Sequence, residues 1–286
     1  MAHPVLGVVG AGRVGTTLAA KFRAAGYPIV GVAARSHASR LRAQTMLAGV
    51  EVMAPAQIAE RSDVLVLAVP DDQLASIAAD LAPHTRPGQV VLHTSGRHGL
   101  TVLSAMTNVR PIAFHPAMTF TGTEVDLDRS CVFGLTAADE DRALAEELVA
   151  ALGGSPMWIA EGDRVRYHAS LAHGANNITT IVGQAMDVLR SIGAEDPAAV
   201  LRPLLEATVS NTLAYGDAAL TGPVARGDVG TVRAHLDALS ADGADRQTRD
   251  SYRALAIATA QRAGQDAVVE ELVEFPGLVE LLEAAR

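Results

Sequence analysis

Gly10-Ala11-Gly12-Arg13-Val14-Gly15 lies between an apolar run, Val5–Val9, and an Ala-rich stretch of helical period, Arg13–Ala25, closed by Gly26. A strand, three spaced glycines and a helix can be joined in few ways. The first glycine admits a tight turn, the second lets the backbone approach a pyrophosphate, and the third lets the helix lie close on the strand. The start of the helix then offers N–H groups to an anion. The spacing alone is weak because glycine is common, but its place between strand and helix makes it a dinucleotide fingerprint. Gly10, Ala11, Gly12, Arg13, Val14 and Gly15 are expected to hold the cofactor, against the plain alternative of a tight turn with no ligand.

The chain after Gly26 keeps the same alternation. Ile29–Ala34, Val64–Val69, Val90–His93, Arg110–His115 and Cys131–Leu135 are short apolar runs, with helical stretches at Ser39–Leu47 and Gln73–Leu81. Continuous apolar strands joined by helices signify a parallel sheet covered on both faces. From about residue 162 the strand signal stops, and Arg164–Ser191, Pro197–Tyr215, Asp228–Leu239, Ala244–Arg262 and Ala267–Ala285 read as helices. The expectation is an α/β fold: an N-terminal Rossmann domain with a doubly wound parallel sheet, residues 1–160, followed by an all-α domain, residues 161–286. The apolar face of Arg164–Ser191 can pack within the chain or against a second subunit.

Charge narrows the partners. The 286 residues carry a net charge of −9 and no Lys/Arg-rich run, which argues against nucleic acid and anionic membrane and for a small-molecule substrate. Cys131 is the only cysteine, so no disulfide or Cys-based metal site can form within the chain, and no metal is expected. The N-terminal run lacks a charged n-region and breaks at Gly10 and Gly12, unlike a signal peptide or anchor, so a cytoplasmic location is expected.

The end of the second strand bears on which dinucleotide binds. An NAD site places Asp or Glu there, about 20 residues after the glycines, to hold the ribose 2′-hydroxyl. This chain has Val32-Ala33-Ala34-Arg35-Ser36 instead. A guanidinium beside a hydroxyl suits a 2′-phosphate, so Arg35 and Ser36 point to NADP(H) rather than NAD(H). The bland alternative is an arginine stacked on adenine or starting a loop. Val69 and Pro70, where the Val64–Val69 run ends, could pack on the nicotinamide half, while Asp71 or Asp72 is expected to cap the next helix.

A reductase also needs a group that protonates or polarises the developing oxyanion or nitrogen, and histidine is the natural one. His93 and His115 end strands at the carboxyl edge. Thr94, Ser95 and Gly96 offer hydroxyls and backbone to the nicotinamide ribose or a substrate carboxylate, or else form a simple turn. Pro116 holds His115 extended, as a wall of the site or as a structural residue. His168 and His173, five residues apart on one helix at about 100° per residue, point roughly 140° apart and cannot serve one small site together. His173 falls within about 60° of Asn176 and Asn177, and His168 about 80° from Asn176. Arg226, between Gly222 and Gly227, could clamp a carboxylate or lie in an ordinary turn, and Asp228 could cap the helix after it.

In order along the chain, GAGRVG, AARS, AVPDD, LHTSG, FHPAMTF, YHASLAHGANN and LTGPVARGD resemble the bacterial Rossmann-like proteins with a DUF2520 C-terminal domain, over nearly the whole length. That group is similar to ketopantoate reductases, pyrroline-5-carboxylate reductases and β-hydroxyacid dehydrogenases. The resemblance implies a helical substrate and dimerisation domain, a homodimer, and NADP-linked reduction of a small carboxylate-bearing 2-oxo acid, ketopantoate-like, or of a cyclic imine. Ketopantoate reductases and β-hydroxyacid dehydrogenases keep a lysine on the first helix of the second domain, with asparagine one or two turns later. Here the matching places before Asn176 and Asn177 hold His168 and His173, and the only lysine, Lys21, belongs to the first Rossmann helix. Either a histidine takes the lysine's place with Asn176, aided by Ser95 and Arg226 on the carboxylate, or the protein is a non-catalytic NADP(H)-binding sensor.

Overall fold

The computed structural model describes residues 3–241 and 245–275. Seven strands form one sheet in the order β2-β1-β3-β4-β5-β6-β7: β1 Leu6–Val9, β2 Ile29–Ala33, β3 Val64–Leu67, β4 Val90–His93, β5 Arg110–Pro116, β6 Val132–Ala137 and β7 Ser155–Trp158. All neighbouring pairs are parallel except β5 and β6, where Phe114 faces Leu135 and His115 faces Gly134. The apolar runs form the expected sheet. An antiparallel pair in it leaves no mark on hydrophobic pattern, because period two is the same in both directions.

Every residue of β1, β3 and β4 is buried, so successive side chains feed two cores. On one face α1 (Arg13–Ala24), α2 (His37–Met46) and α5 (Arg142–Ala151) bring Leu18, Phe22, Ala43 and Leu148 against Leu6, Val8, Val64, Val66, Leu92 and Phe114. On the other, α3 (Pro55–Arg61) and α4 (Leu74–Leu81) bring Ile58, Leu74 and Ala78 against Val9, Leu65, Leu67 and Val91. Five of these strands run parallel, so β2, β1, β3, β4 and β5 end at one edge. The strand order turns at β1, between β2 and β3, which is where an open sheet makes its ligand crevice.

The chain divides into two compact units, Met1–His173 and Gly174–Arg286. Helix α6, Arg164–Leu171, thus groups with the sheet, although the sequence boundary at residue 160 places it with the helical part. After α6 come a π-helical stretch, Ala172–Asn176, and α7, Asn177–Ser191. The second unit continues with α8 Pro197–Tyr215, α9 Gly222–Ala225, α10 Val229–Ala238, α11 Arg246–Ala263 and α12 Asp266–Glu274. Its core is Val224, Val232, Leu236, Ala256, Ala260, Val268 and Leu272. Asp228 caps α10 as expected, its carboxylate accepting from Thr231 N–H at 3.0 Å. The parts of the expected last two helices at residue 244 and at residues 276–285 lie outside the described residues. No described helix is long and apolar enough to cross a membrane.

Candidate functional site

Each glycine of the fingerprint meets a distinct steric demand. Gly10 adopts φ +111°, and a Cβ there would lie 2.2 Å from the Ala68 carbonyl oxygen. A Cβ on Gly15 would lie 2.0 Å from the Gly10 carbonyl oxygen and 2.8 Å from Ala68 Cβ, so α1 can sit this close to β3 only without a side chain there. Gly12, by contrast, faces open space, with nothing within 4 Å of a Cβ. It starts α1 with no side-chain cap and no acidic residue in the first turn, an arrangement of backbone N–H groups that suits an anion.

Above this turn is a cavity of about 510 Å³, lined by Gly10, Ala11, Gly12, Arg35, Ser36, Val69 and Pro70, together with Gln73, just before α4, and Ile77 and Asp80 of α4. Arg35 Nη1 donates to Gln73 Oε1 at 3.2 Å, a neutral partner that fixes the guanidinium without neutralising it. Ser36 caps α2, its Oγ accepting from Ser39 N–H at 3.1 Å. Arg13 is exposed at the first turn of α1, and Val14 is half-buried. A second cation that the motif does not announce adjoins them: Arg42 Nη1 donates to the Ala11 carbonyl at 3.2 Å.

Farther along the same edge stands a cluster of histidines. His93 is fully buried; its Nε2 donates to the Gly99 carbonyl at 2.9 Å, and burial, with Arg164 and His98 nearby, pushes its pKa down to about 4 against the opposing effects of that hydrogen bond and Asp71. Thr94 N–H pairs with Leu67 O at 3.2 Å, continuing the ladder. Ser95 is buried, its Oγ accepting from His98 N–H at 3.2 Å and its carbonyl from Arg164 Nη2 at 2.9 Å. A Cβ on Gly96 would lie 2.4 Å from His168 Cδ2 and 3.0 Å from His115 Nε2, so the loop and both rings meet there. His115 Nδ1 is 2.9 Å from Tyr167 Oη, and the His115 and His168 rings meet edge-to-face at 5.9 Å. Burial first, then His168 and Arg164, lower the His115 pKa to about 4, so it is neutral at physiological pH.

Arg164 closes this cluster from behind. It is completely buried and donates from Nη1 to Thr136 Oγ1 at 3.0 Å and Gly134 O at 3.4 Å, besides Ser95 O. Sequence reading names neither Arg164 nor Tyr167 as site residues. The one available signal is their spacing from His168 on α6, four residues and one, which puts Arg164 and His168 on one helical face.

The structure therefore brings Thr94, Ser95, Gly96, His115 and His168 together in the first unit. His173 is exposed and lies in the π-helical stretch, where the α-helical 100° per residue does not hold. Asn176, Asn177 and Arg226, all exposed, belong to the second unit. Asp71 pairs with Arg97 at 3.1 Å, and α4 begins with no side-chain cap, so the capping role expected for Asp71 or Asp72 is corrected. Lys21, in the last turn of α1, donates to the Arg129 carbonyl at 2.6 Å, far along the helix from Gly12. Among the described residues no group of three or more His, Cys, Asp or Glu could hold a metal ion.

A Rossmann-like domain model matches residues 2–116, and the model of a domain of unknown function, DUF2520, matches residues 131–259. No curated protein matches the sequence. Among solved structures, the fold is similar to a Bacteroides fragilis protein provisionally described as an NADP oxidoreductase (TM-score 0.78, 21% identity, covering 91% of this chain and 98% of that one). It is also similar to a Thermotoga maritima protein (TM-score 0.67, 20% identity, 91% and 99%). A Plasmodium falciparum pyrroline carboxylate reductase with NADP bound is more distant (TM-score 0.56, 14% identity, 94% and 98%). These identities establish a shared fold. These two matched domains, one after the other along the sequence, make the chain a Rossmann-like protein with a DUF2520 C-terminal domain.

Proposed function

We propose that the protein is an NADP(H)-dependent reductase of a small, carboxylate-bearing 2-oxo acid, ketopantoate-like, or of a cyclic imine. The observation that carries this reading is the cavity over the glycine turn, with uncapped N–H groups at one end and Arg35, without a carboxylate at the end of β2, at the other. The bound cofactor would supply hydride. Arg35 and Ser36 would hold the 2′-phosphate, Arg13 and Arg42 would add positive charge beside the pyrophosphate, and Val69 and Pro70 would pack against the cofactor. Beyond them, His115 and His168 are the polar groups that could bind the substrate's oxygen or nitrogen, and the buried charge of Arg164 favours an anionic substrate. His173, Asn176, Asn177 and Arg226 remain candidates for substrate contact.

The experiment is loss of NADPH absorbance with a panel of 2-oxo acids and cyclic imines. A second reading, a non-catalytic NADP(H) sensor, is favoured by the position of Lys21, the only lysine, which bonds the backbone away from the crevice. Tight NADPH binding without turnover on any of the panel would select it.

We further propose that a second copy of the chain covers α7 and α8. No residue of α7 is buried, and of the 19 residues of α8 only Pro197 is, while Val200, Leu204, Val209 and Leu213 are exposed. A helix this apolar and this open is covered by something, and the same helix of a second copy is a self-complementary surface. Light scattering should give twice the chain mass, and a monomer at micromolar concentration would contradict the proposal. A reducing, cytoplasmic setting agrees with the lone free Cys131.

A further inference from the structure

We infer that Tyr167 is a positioning residue: its hydroxyl donates to Nδ1 of His115 and fixes the tautomer that presents Nε2–H to the site, making the neutral ring a hydrogen-bond donor to the substrate's carbonyl oxygen or imine nitrogen. The geometry is built for this contact. His115 on β5 stands opposite Gly134 on β6, and a side chain at that register position would fill the space Tyr167 uses. A Cβ on Gly134 would lie 2.6 Å from Tyr167 Oη. The missing side chain thus leaves a slot through which the hydroxyl reaches Nδ1 at 2.9 Å, with the two rings edge-to-face at 5.6 Å.

Donor and acceptor are set by chemistry. A phenol is the stronger acid of the two neutral groups and an imidazole nitrogen the stronger acceptor, so O–H···N is the favoured sense. Arg164 adds to it: its guanidinium carbon lies 6.0 Å from the centre of the Tyr167 ring and favours electron density on the phenolic oxygen, as when that oxygen donates. With Nδ1 thereby an acceptor, the proton of the neutral ring is on Nε2, the nitrogen beside Gly96 and His168. The side of His115 that faces the loop is then a donor rather than a lone pair.

The role rests on the reductase reading, but its test needs no cofactor. In protein labelled at the histidine ring nitrogens, long-range proton–nitrogen NMR near neutral pH reports the tautomer, and His115→Gln identifies the His115 signals by their loss. The expected pattern is a protonated Nε2 and a hydrogen-bonded, unprotonated Nδ1, with Tyr167→Phe shifting the Nδ1 signal toward that of a free acceptor. A protonated Nδ1 in the unmodified protein would overturn the assignment even if Tyr167→Phe did not fold, and so would a His115 pattern unchanged in a folded Tyr167→Phe. Absence of NADPH binding would instead defeat the reductase reading and leave the tautomer result intact.

Discussion

Replacing Arg35 isolates the part of the site that sets cofactor choice. Its guanidinium is anchored through Nη1 by Gln73 at 3.2 Å, which leaves its other N–H groups free for an incoming phosphate and lowers the entropy lost on binding. A hydrogen bond to a charged group contributes about 1.5–3 kcal/mol, and screening at this exposed position favours the lower half of that range. At about 1.4 kcal/mol per tenfold, Arg35→Ala should raise the Kd for NADPH roughly 10- to 30-fold and leave NADH nearly unchanged. Arg35→Asp goes further, because a carboxylate repels the 2′-phosphate and accepts from a 2′-hydroxyl; NADPH should weaken more and NADH should gain. Calorimetric titration of both cofactors on the same protein reads the ratio directly. Equal weakening of NADPH and NADH would refute the 2′-phosphate assignment, and a Gln73→Leu variant as selective as the unmodified protein would show that the anchor is unimportant.

Elsewhere in the crevice, Gly15→Ala places a methyl 2.0 Å from backbone, which cannot yield cheaply, so loss of about 1–3 kcal/mol of stability together with dinucleotide binding is expected in denaturation and titration. Gly96→Ala drives a methyl into His168 and His115 and should cost turnover far more than NADPH affinity; retained kcat on whichever substrate of the panel is reduced would remove the histidines from the reaction. Stability should fall with acid, because His93 and His115 have pKa values of about 4 in the folded chain against about 6.5 unfolded, so the unfolded state takes up more protons between those values. The loss between about pH 6.5 and 4 is on the order of 3 kcal/mol for His93 and less for the part-exposed His115. Urea denaturation across that range measures it, and a slope unaltered by His93→Gln would contradict the burial argument.

The Rossmann half is legible in sequence because its signals are local. Three glycines between a strand and a helix, and the all-apolar run Val64–Leu67, need no tertiary information to be read. The features that escape such reading are the ones packing decides. Strand β7, Ser155-Pro156-Met157-Trp158, is a mostly exposed edge strand of four residues with a proline, and α3 is a seven-residue helix; neither is long enough to show a period. Tyr167 meets His115 across 52 residues of chain, and a fully buried Arg164 has the same letter as a solvated arginine. The π-helical stretch at Ala172–Asn176 likewise changes side-chain directions with no rule in composition to announce it.

A structure of the protein with NADP bound tests the central claim most directly. The pyrophosphate should lie on the N–H groups after Gly12, the 2′-phosphate within hydrogen-bond distance of Arg35, and the nicotinamide at the edge formed by Thr94, Gly96 and His115. A dinucleotide bound away from the glycine turn, or bound there with its nicotinamide directed away from His115, would contradict it.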